Sequence, residues 1–386
     1  MKRLAIAIAL ITMALAVPAK AFAANSGYDG GFFIASDDQE YLLKLTGRLQ
    51  TKFYYQNSAT QQKQLSFNIR RAQLNIFSEL HDIVSMGFTL KHAITDVGTQ
   101  NFQTVQVTGA FASIELIPQF VMTVGMVGLP LDMMSETSSA WYLLPEAPIT
   151  NTQDDGISNL TPLRPSFGVP DGLGVNFSGG YWKWYYSLSF VNGSESNYVI
   201  NPDMKMSFGF RTGFNILDPV PGKMTDFDCS ETPKLTVNLG SMYQGKRTDP
   251  NTNADIKYLW TSSLGVGLRW GGFAFTTEGY YRRTSITSPG TTVVWSRPKL
   301  TDIGYYAAAG YYILPKKLEI AAQAGQIIRQ GPDNDSWQFG GGFNYYIFEN
   351  DLKLQAAYTL TTDFDDITGT QTNKIHNASL MLSSLF

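Results

Sequence analysis

The sequence predicts an all-β chain that forms a 16-stranded antiparallel transmembrane β-barrel. Apolar and polar residues alternate one by one through most of the chain, as in a β-strand with one apolar and one polar face. Aromatic residues make up 13% and charged residues only 16% of the 386 residues, and the mean hydropathy is −0.11. Beyond residue 17 no stretch holds the roughly eighteen apolar residues of a transmembrane helix.

The alternation is clearest in the stretch LLKLTGRLQTKFYY, which sets Leu43 and Leu45 against Lys44 and Arg48. In the next segment the same period places Arg70 on the apolar, lipid-facing side. Sixteen segments of about ten to fourteen residues follow this pattern, and that length crosses a bilayer at a tilt. The segments are 41–56, 65–79, 83–95, 104–117, 119–128, 172–180, 182–192, 204–217, 233–244, 259–270, 272–284, 302–314, 317–330, 336–348, 351–363 and 373–386.

A soluble β-sandwich also alternates, so it is the alternative that this pattern leaves open. Aromatic residues stand near the ends of the apolar faces, for example Trp260, Trp270, Trp337 and Tyr345, as in the girdles of outer-membrane barrels. The polar faces hold Gly, Ser, Asn, Gln, Lys and Arg, which suit a water-filled lumen better than a dry core. Both features favour the membrane barrel.

The connections between the segments differ in length. Short turns such as Gly271-Gly272 alternate with longer loops, for example around 245–258 and 285–301. In bacterial outer-membrane barrels the short turns face the periplasm and the long loops face outward. The turn 218–232 is too long for this scheme, and the sequence offers no reason for its length.

The N-terminal stretch MKRLAIAIALITMALAVPAKAFAAN predicts a signal peptide at 1–24. Lys2 and Arg3 form a basic region, residues 4–17 are apolar, and small residues follow at a cleavage position. A membrane anchor is the alternative, but its apolar stretch would be too short to span a bilayer. Residues 25–40 are then expected to be a periplasmic lead-in to a barrel formed by 41–386.

The C-terminal stretch NASLMLSSLF alternates up to the aromatic Phe386. In a closed barrel the last strand pairs with the first, so we expect this segment to close the sheet onto the segment 41–56.

Residues typical of other functions are scarce. Cys229 is the single cysteine, and His81, His92 and His376 are isolated, without carboxylate or cysteine neighbours at metal-ligand spacing. No nucleophile elbow or phosphate-binding loop is present. We therefore expect no cofactor, no metal and no enzymatic activity, with an outer-membrane hydrolase as a remote alternative. The net charge of −3 argues against nucleic acid as a partner.

Several stretches resemble the phosphate-selective porin O/P family of Gram-negative outer membranes. They are DGGFFIASDDQEYLLKLTGRLQ, FNIRRAQLNIFSEL, VGMVGLPLDMMSETSSAWYLLPEA and FGFRTGFNILDPVPGK with the following KLTVNLG, and with the last strand they cover most of the chain. The resemblance implies a homotrimeric porin in outer-membrane lipid and lipopolysaccharide. It also implies that a third loop, about 129–165, folds into the channel and that Phe386 is read by the barrel-assembly machinery.

The resemblance and the alternation together predict a channel for passive diffusion of ions, phosphate or other anions among them, and of small hydrophilic solutes. A structural or adhesive barrel with a blocked lumen is the alternative. The predicted basic lining of the pore is Lys44, Arg48, Lys52, Arg71, Lys91, Lys205, Arg211, Arg269, Arg282, Arg329 and Lys353. The predicted acidic residues of the third loop are Asp132, Glu136, Glu146, Asp154 and Asp155.

These opposed charges predict weak anion selectivity at most. Members of the family that select phosphate line the lumen with arginine and lysine, and a basic wall raises the local anion concentration. Asp132 and Glu136 of the third loop would face Arg48 and Arg211 across the lumen and create a transverse field. Such a field lets ions of both signs pass, so we expect no tight phosphate site.

Overall fold

The computed structural model describes residues 24–38, 40–58, 63–97, 100–151, 167–168, 171–192, 206–245, 247–248, 255–288, 299–330, 335–364 and 372–386. The predicted signal peptide, 1–24, lies outside these residues except for its last position. So do Lys205, Asp154 and Asp155.

Sixteen strands in this part of the chain close into one antiparallel barrel, which confirms the predicted fold class. Each barrel strand pairs with its neighbours along the chain, and the last strand, Thr372–Leu385, pairs with the first, Tyr41–Ser58, to close the sheet. Every barrel strand therefore has a partner on both sides, as a membrane-spanning sheet requires. The barrel strands are β3 (Tyr41–Ser58), β4 (Gln64–Leu80), β5 (Val84–Val97), β6 (Gln100–Ile117), β7 (Phe120–Gly128), β8 (Asp171–Tyr181), β9 (Trp184–Asn192), β10 (Met206–Asn215), β11 (Lys234–Gln244), β13 (Asp255–Trp270), β14 (Phe273–Ser288), β15 (Lys299–Leu314), β16 (Leu318–Arg329), β17 (Ser336–Phe348), β18 (Leu352–Phe364) and β19 (Thr372–Leu385).

The alternation in the sequence becomes an apolar outer face and a polar inner face. On β13, Trp260, Leu264 and Trp270 are 40–58% exposed on the outside. Between them, Thr261 and Arg269 point inward and are at most 1% exposed. A barrel with large apolar and aromatic side chains around its outside is suited to lipid rather than to water.

The two ends of the barrel differ as the loop lengths predicted. Tight turns join strands at one end, which we call the short-turn end. Gly271 and Gly272 there have φ of 59° and 82°, the left-handed conformation of a two-residue hairpin turn, and Lys316 and Glu349 share it in neighbouring turns. The turn 218–232 also lies at this end, but it folds back into the barrel.

A β-bulge in β4 turns the side chain of Arg70 in the direction opposite to the predicted one. In the ladder between β3 and β4, Gln50 is opposite Arg71 and Thr51 is opposite Ile69, so Arg70 is an extra residue. A bulge breaks the strict alternation of side chains. The prediction that Arg70 faces lipid is therefore wrong, because its guanidinium contacts Glu146 inside the barrel.

The seam between the first and last barrel strands is closed by an aromatic residue and a hairpin. Phe386 exchanges backbone hydrogen bonds with Gly47, and its ring occupies the space that a side chain at Gly47 would need. Beyond that point β2 (Phe32–Ser36) pairs with residues 42–45 of β3, and β1 (Ala24–Tyr28) pairs with β2. The hairpin thereby covers the edge of β3 that β19 leaves open.

Two segments fold into the barrel and carry its main apolar core. The third loop follows β7; its described residues are 129–151 and 167–168, with two short 3-10 helices, η1 (Ser139–Trp141) and η2 (Ile149–Asn151). The inner turn, residues 218–232, connects β10 to β11. Among the described residues, no helix has both the length and the apolar character to cross a membrane.

Candidate functional site

The third loop is held against the inner wall by apolar packing. Its buried apolar side chains face those of the wall in one cluster, which includes Tyr280, Tyr306 and Ala308. Because the loop covers this wall, apolar side chains of the loop and the wall fill the barrel interior on this side. The apolar loop residues that are at most 2% exposed are Leu129, Leu131, Met134, Leu143, Leu144, Ile149 and Phe167.

Glu278 of β14 pins the start of the loop. Its carboxylate accepts hydrogen bonds from the backbone N–H groups of Met133 (2.7 Å) and Met134 (3.2 Å). The hydroxyls of Tyr306 (2.8 Å) and Tyr280 (3.1 Å) donate to the same carboxylate. Four donors surround this 1% exposed side chain, so the carboxylate is a structural anchor.

Glu146 anchors the middle of the loop to the wall formed by β3 and β4. Lys52 Nζ lies 2.6 Å from its Oε1, Arg70 Nη2 lies 2.8 Å and Arg71 Nη2 3.6 Å from its Oε2. Burial opposes ionisation of Glu146, but the three cations outweigh it and hold the pKa of this carboxyl well below its usual range. The predicted loop acid is thus neutralised by two residues of the predicted basic lining, Lys52 and Arg71, together with Arg70.

The other two described acids of the loop have different partners. Asp132 is fully buried and accepts hydrogen bonds from the Ser135 N–H (2.6 Å) and the Asn151 Nδ2 (2.8 Å) within the loop. Glu136 is exposed to the lumen and pairs with Arg211 of β10, which also donates to the Asp132 carbonyl oxygen (3.2 Å). Of these acids, Glu136 is therefore the one that carries its charge into open space.

Polar side chains of the wall also bind the loop backbone. Lys353 donates to the Ala140 carbonyl oxygen, and Asn344 donates to that of Leu143 (2.9 Å). Arg48 Nη1 donates to the hydroxyl of Ser139 (2.8 Å). These contacts satisfy loop backbone and hydroxyl groups that lie away from bulk water.

The inner turn is anchored to the opposite end of the same wall. Phe227 is 6% exposed, with its ring centroid 5.3 Å from that of Tyr346 and 6.1 Å from that of Tyr312. Thr225 donates to the Glu319 carboxylate (2.6 Å), and Asp226 accepts from the Gly272 N–H (2.8 Å). The unexplained length of this turn is therefore accounted for by a segment that packs inside the barrel.

The described residues leave part of the wall formed by β6 to β9 uncovered, although Ser189 and Val191 of β9 are at most 2% exposed. A cleft of about 410 Å³ runs between this wall and the outer side of the third loop, next to Glu136. A second cavity of about 170 Å³ lies between the loop and the inner turn, and Glu136 lines it too. The polar wall residues of the larger cleft are Ser113, Thr123, Asp171, Asn176 and Ser187.

The predicted basic residues that the structure describes point inward but are mostly covered. Arg269 donates to the Lys223 carbonyl oxygen of the inner turn, and Arg282 pairs with Asp302 of the neighbouring strand (2.8 Å). Lys44 lies 3.9 Å from Asp29 of the N-terminal hairpin. Arg48 and Lys91 are partly exposed. The basic residues that are at most 9% exposed are Lys52, Arg71, Arg211, Arg269, Arg282, Arg329 and Lys353.

Sequence reasoning missed three residues of this region. Arg70 was placed on the wrong face because a bulge leaves no trace in a period-two pattern. Glu278 is not among the predicted site residues, although a carboxylate at the centre of a polar strand face is unusual enough to mark an anchor. Lys223 lies in the inner turn, whose length was the one signal that it does more than join two strands.

Models of known protein families and curated proteins give no match to this sequence. Among solved structures, the outer membrane channel DcaP of Acinetobacter baumannii has a TM-score of 0.60 and 12% identity, covering 91% of this chain and 99% of that chain. The trimer form of OmpT, an outer membrane protein of Vibrio cholerae, has a TM-score of 0.55 and 11% identity, covering 90% of this chain and 99% of that chain. OprB of Pseudomonas putida has a TM-score of 0.50 and 11% identity, covering 90% of this chain and 95% of that chain. The chain therefore has the fold of outer-membrane β-barrels.

Proposed function

We propose that this protein is a porin of a Gram-negative outer membrane, through which ions and small hydrophilic solutes diffuse passively. The observation that carries the proposal is the open polar cleft between the β6 to β9 wall and the third loop. A loop that folds into a barrel and leaves one wall free narrows a passage without filling it. The apolar outer face and the likeness in fold to an outer membrane channel support this placement.

A barrel with a blocked lumen is the second candidate. Its support is the extent of the packing inside the barrel, since the third loop and the inner turn cover the wall from β13 to β18. In that case the surface loops would carry the function and the protein would show no steady conductance.

Cysteine accessibility in a conducting protein separates the two candidates. In a Cys229→Ser background, Ser187→Cys places a thiol in the open cleft, whereas Ser263→Cys places one where the third loop covers the wall. In planar bilayers we expect steady single-channel conductance. A charged thiol reagent should reduce the current through Ser187→Cys and leave Ser263→Cys unchanged. Absence of conductance in the refolded wild type would refute the porin proposal.

For selectivity we propose a weak preference for anions without a tight phosphate site. Among the described acids of the third loop, Glu146 is outnumbered by the three cations Lys52, Arg70 and Arg71, and Glu136 pairs with Arg211. The resemblance to phosphate-selective porins favours anions as well. Reversal potentials in a KCl gradient, repeated with millimolar phosphate, test this. Strong block of the chloride current by phosphate, or a strongly cation-selective potential, would contradict it.

We also propose a homotrimer without enzymatic activity, inserted by the barrel-assembly machinery. The trimer form of the Vibrio cholerae protein supports the oligomeric state by analogy of fold. Mass measurement of the detergent-extracted protein tests it, and a single monomer mass would count against it. Turnover of a lipid or peptide substrate, abolished by removal of one residue, would contradict the absence of enzymatic activity.

A further inference from the structure

The inner turn is far longer than is needed to join β10 to β11. Neighbouring strands at the short-turn end are joined by two or three residues, as at Gly271 and Gly272. Residues 218–232 instead enter the lumen, where Met224 and Phe227 are at most 6% exposed. Folding this many residues against the inner wall has a large entropic cost, which burial of these apolar side chains offsets.

The inner turn and the third loop meet inside the barrel. The Met224 N–H donates to the Trp141 carbonyl oxygen of the third loop (3.3 Å). The Lys223 ammonium lies 4.1 Å from the centre of the Trp141 ring, a cation–π distance. Two segments that come from opposite ends of the barrel thus form one continuous inner surface.

The smaller cavity of about 170 Å³ lies along this junction. Residues 220–224 line one side of it, and Glu136, Tyr185 and Arg211 line the other. Glu136 also borders the larger cleft of about 410 Å³. Glu136 is thus shared by both spaces, and an ion that moved from the larger cleft through the smaller cavity would pass the inner turn.

The charged side chains along this junction have different hydrogen-bond and ion-pair partners. Arg211 pairs with Glu136, and Arg269 donates to four oxygen atoms of the wall and the turn. Lys223 is the charged side chain that the inner turn itself contributes to the cavity, and it is partly exposed. Its charge is therefore placed to act on ions in the passage.

We propose that the inner turn is a second channel-constricting segment, and that Lys223 is the residue through which it affects ion selectivity. This inference rests on the proposed porin function. It adds a selectivity residue on the short-turn side of the third loop, in a segment that a sequence pattern would treat as a plain connection.

Two pairs of variants test the proposal in planar bilayers. Lys223→Glu reverses the charge of the inner turn, and Lys317→Glu makes the same change at an exposed tight turn of the same end. We expect the cation-to-anion permeability ratio to rise about threefold in Lys223→Glu, as for a charge reversal acting across several ångströms of water, and to stay unchanged in Lys317→Glu.

The second pair changes size instead of charge. A Cβ atom added at Gly222 or at Gly279 would meet no atom within 4 Å, but Gly222 borders the cavity and Gly279 faces outward between Glu278 and Tyr280. Gly222→Trp should lower the conductance about twofold or more, whereas Gly279→Trp should leave it unchanged.

The possible outcomes separate the proposed role of the inner turn from the proposed porin function. A wild type that conducts, with Lys223→Glu and Gly222→Trp both indistinguishable from it, would overturn the role of the inner turn and keep the porin. A wild type that does not conduct would overturn both. Altered selectivity in Lys317→Glu as well would show that bulk surface charge, and not the inner turn, sets the potential, and would also overturn it.

Discussion

The two halves of the inner wall have the same kind of sequence and different surroundings. On β6 to β9, Ser113, Asn176 and Ser187 border an open cleft. On β13 and β17, Ser263 and Asn344 are at most 4% exposed because the third loop lies on them. An inward-facing polar residue can therefore line a passage or anchor an inserted segment.

This contrast changes how the basic residues of the lumen are interpreted. In the covered half, Lys353 and Arg269 donate to carbonyl oxygens of inserted segments, so their charge is used for positioning. Arg211 lies at the border, where it pairs with the exposed Glu136. Counting cations on inward faces thus overstates the number that a passing ion would meet.

The largest expected effect comes from breaking the anchor of the third loop at Glu146. Glu146→Ala would leave Lys52, Arg70 and Arg71 without their shared counter-charge in a nearly buried site. We expect it to lower the free energy of unfolding by about 3–5 kcal/mol, measured by guanidinium unfolding of the refolded protein in detergent. Glu349→Ala at an exposed tight turn is the control; equal stability of the two variants would mean that the covered half is not held by this cluster.

Removal of the aromatic anchor of the inner turn is expected to have the next largest effect. Phe227→Ala leaves a cavity among Trp141, Tyr312 and Tyr346 and should cost about 3 kcal/mol of unfolding free energy. Single-channel recordings should also become noisier, because the inner turn loses its main apolar contact. A variant as stable and as quiet as the wild type would show that the inner turn does not depend on this packing.

The pH dependence of stability tests the same ion cluster with a smaller effect. The pKa of Glu146 is lowered in the folded protein, so its contribution to stability is present above the unfolded value of about 4.3 and is lost as the pH falls through the folded value. The difference in unfolding free energy between the wild type and Glu146→Gln should therefore narrow below about pH 4.3. A constant difference from pH 7 to pH 3 would contradict the lowered pKa.

The smallest effect is expected on the open wall. Ser187→Ala removes a hydroxyl that accepts a hydrogen bond from Asn176, but water in the cleft and Ser189 remain as partners. The unfolding free energy should change by less than about 0.5 kcal/mol. A loss several times larger would mean that this wall is as tightly packed as the covered one, which would break the comparison between the two halves.

The number of barrel strands, their approximate limits and the direction of most side chains could be predicted from the sequence, whereas the N-terminal hairpin of β1 and β2 was not. A strand exposes successive residues to opposite sides, so lipid outside and polar groups inside leave a period-two pattern that can be read residue by residue. Tight turns were also visible, because left-handed positions such as Gly271 and Gly272 favour glycine.

Which polar residues anchor inserted segments and which face the open lumen could not be predicted without the folded structure. That outcome depends on contacts between parts of the chain far apart in sequence, such as Glu146 with Lys52 and Phe227 with Tyr346. It also depends on the bulge that turns Arg70 inward. Such contacts follow no local period, because they arise from the shape of the closed barrel and from the space that the third loop and the inner turn fill within it.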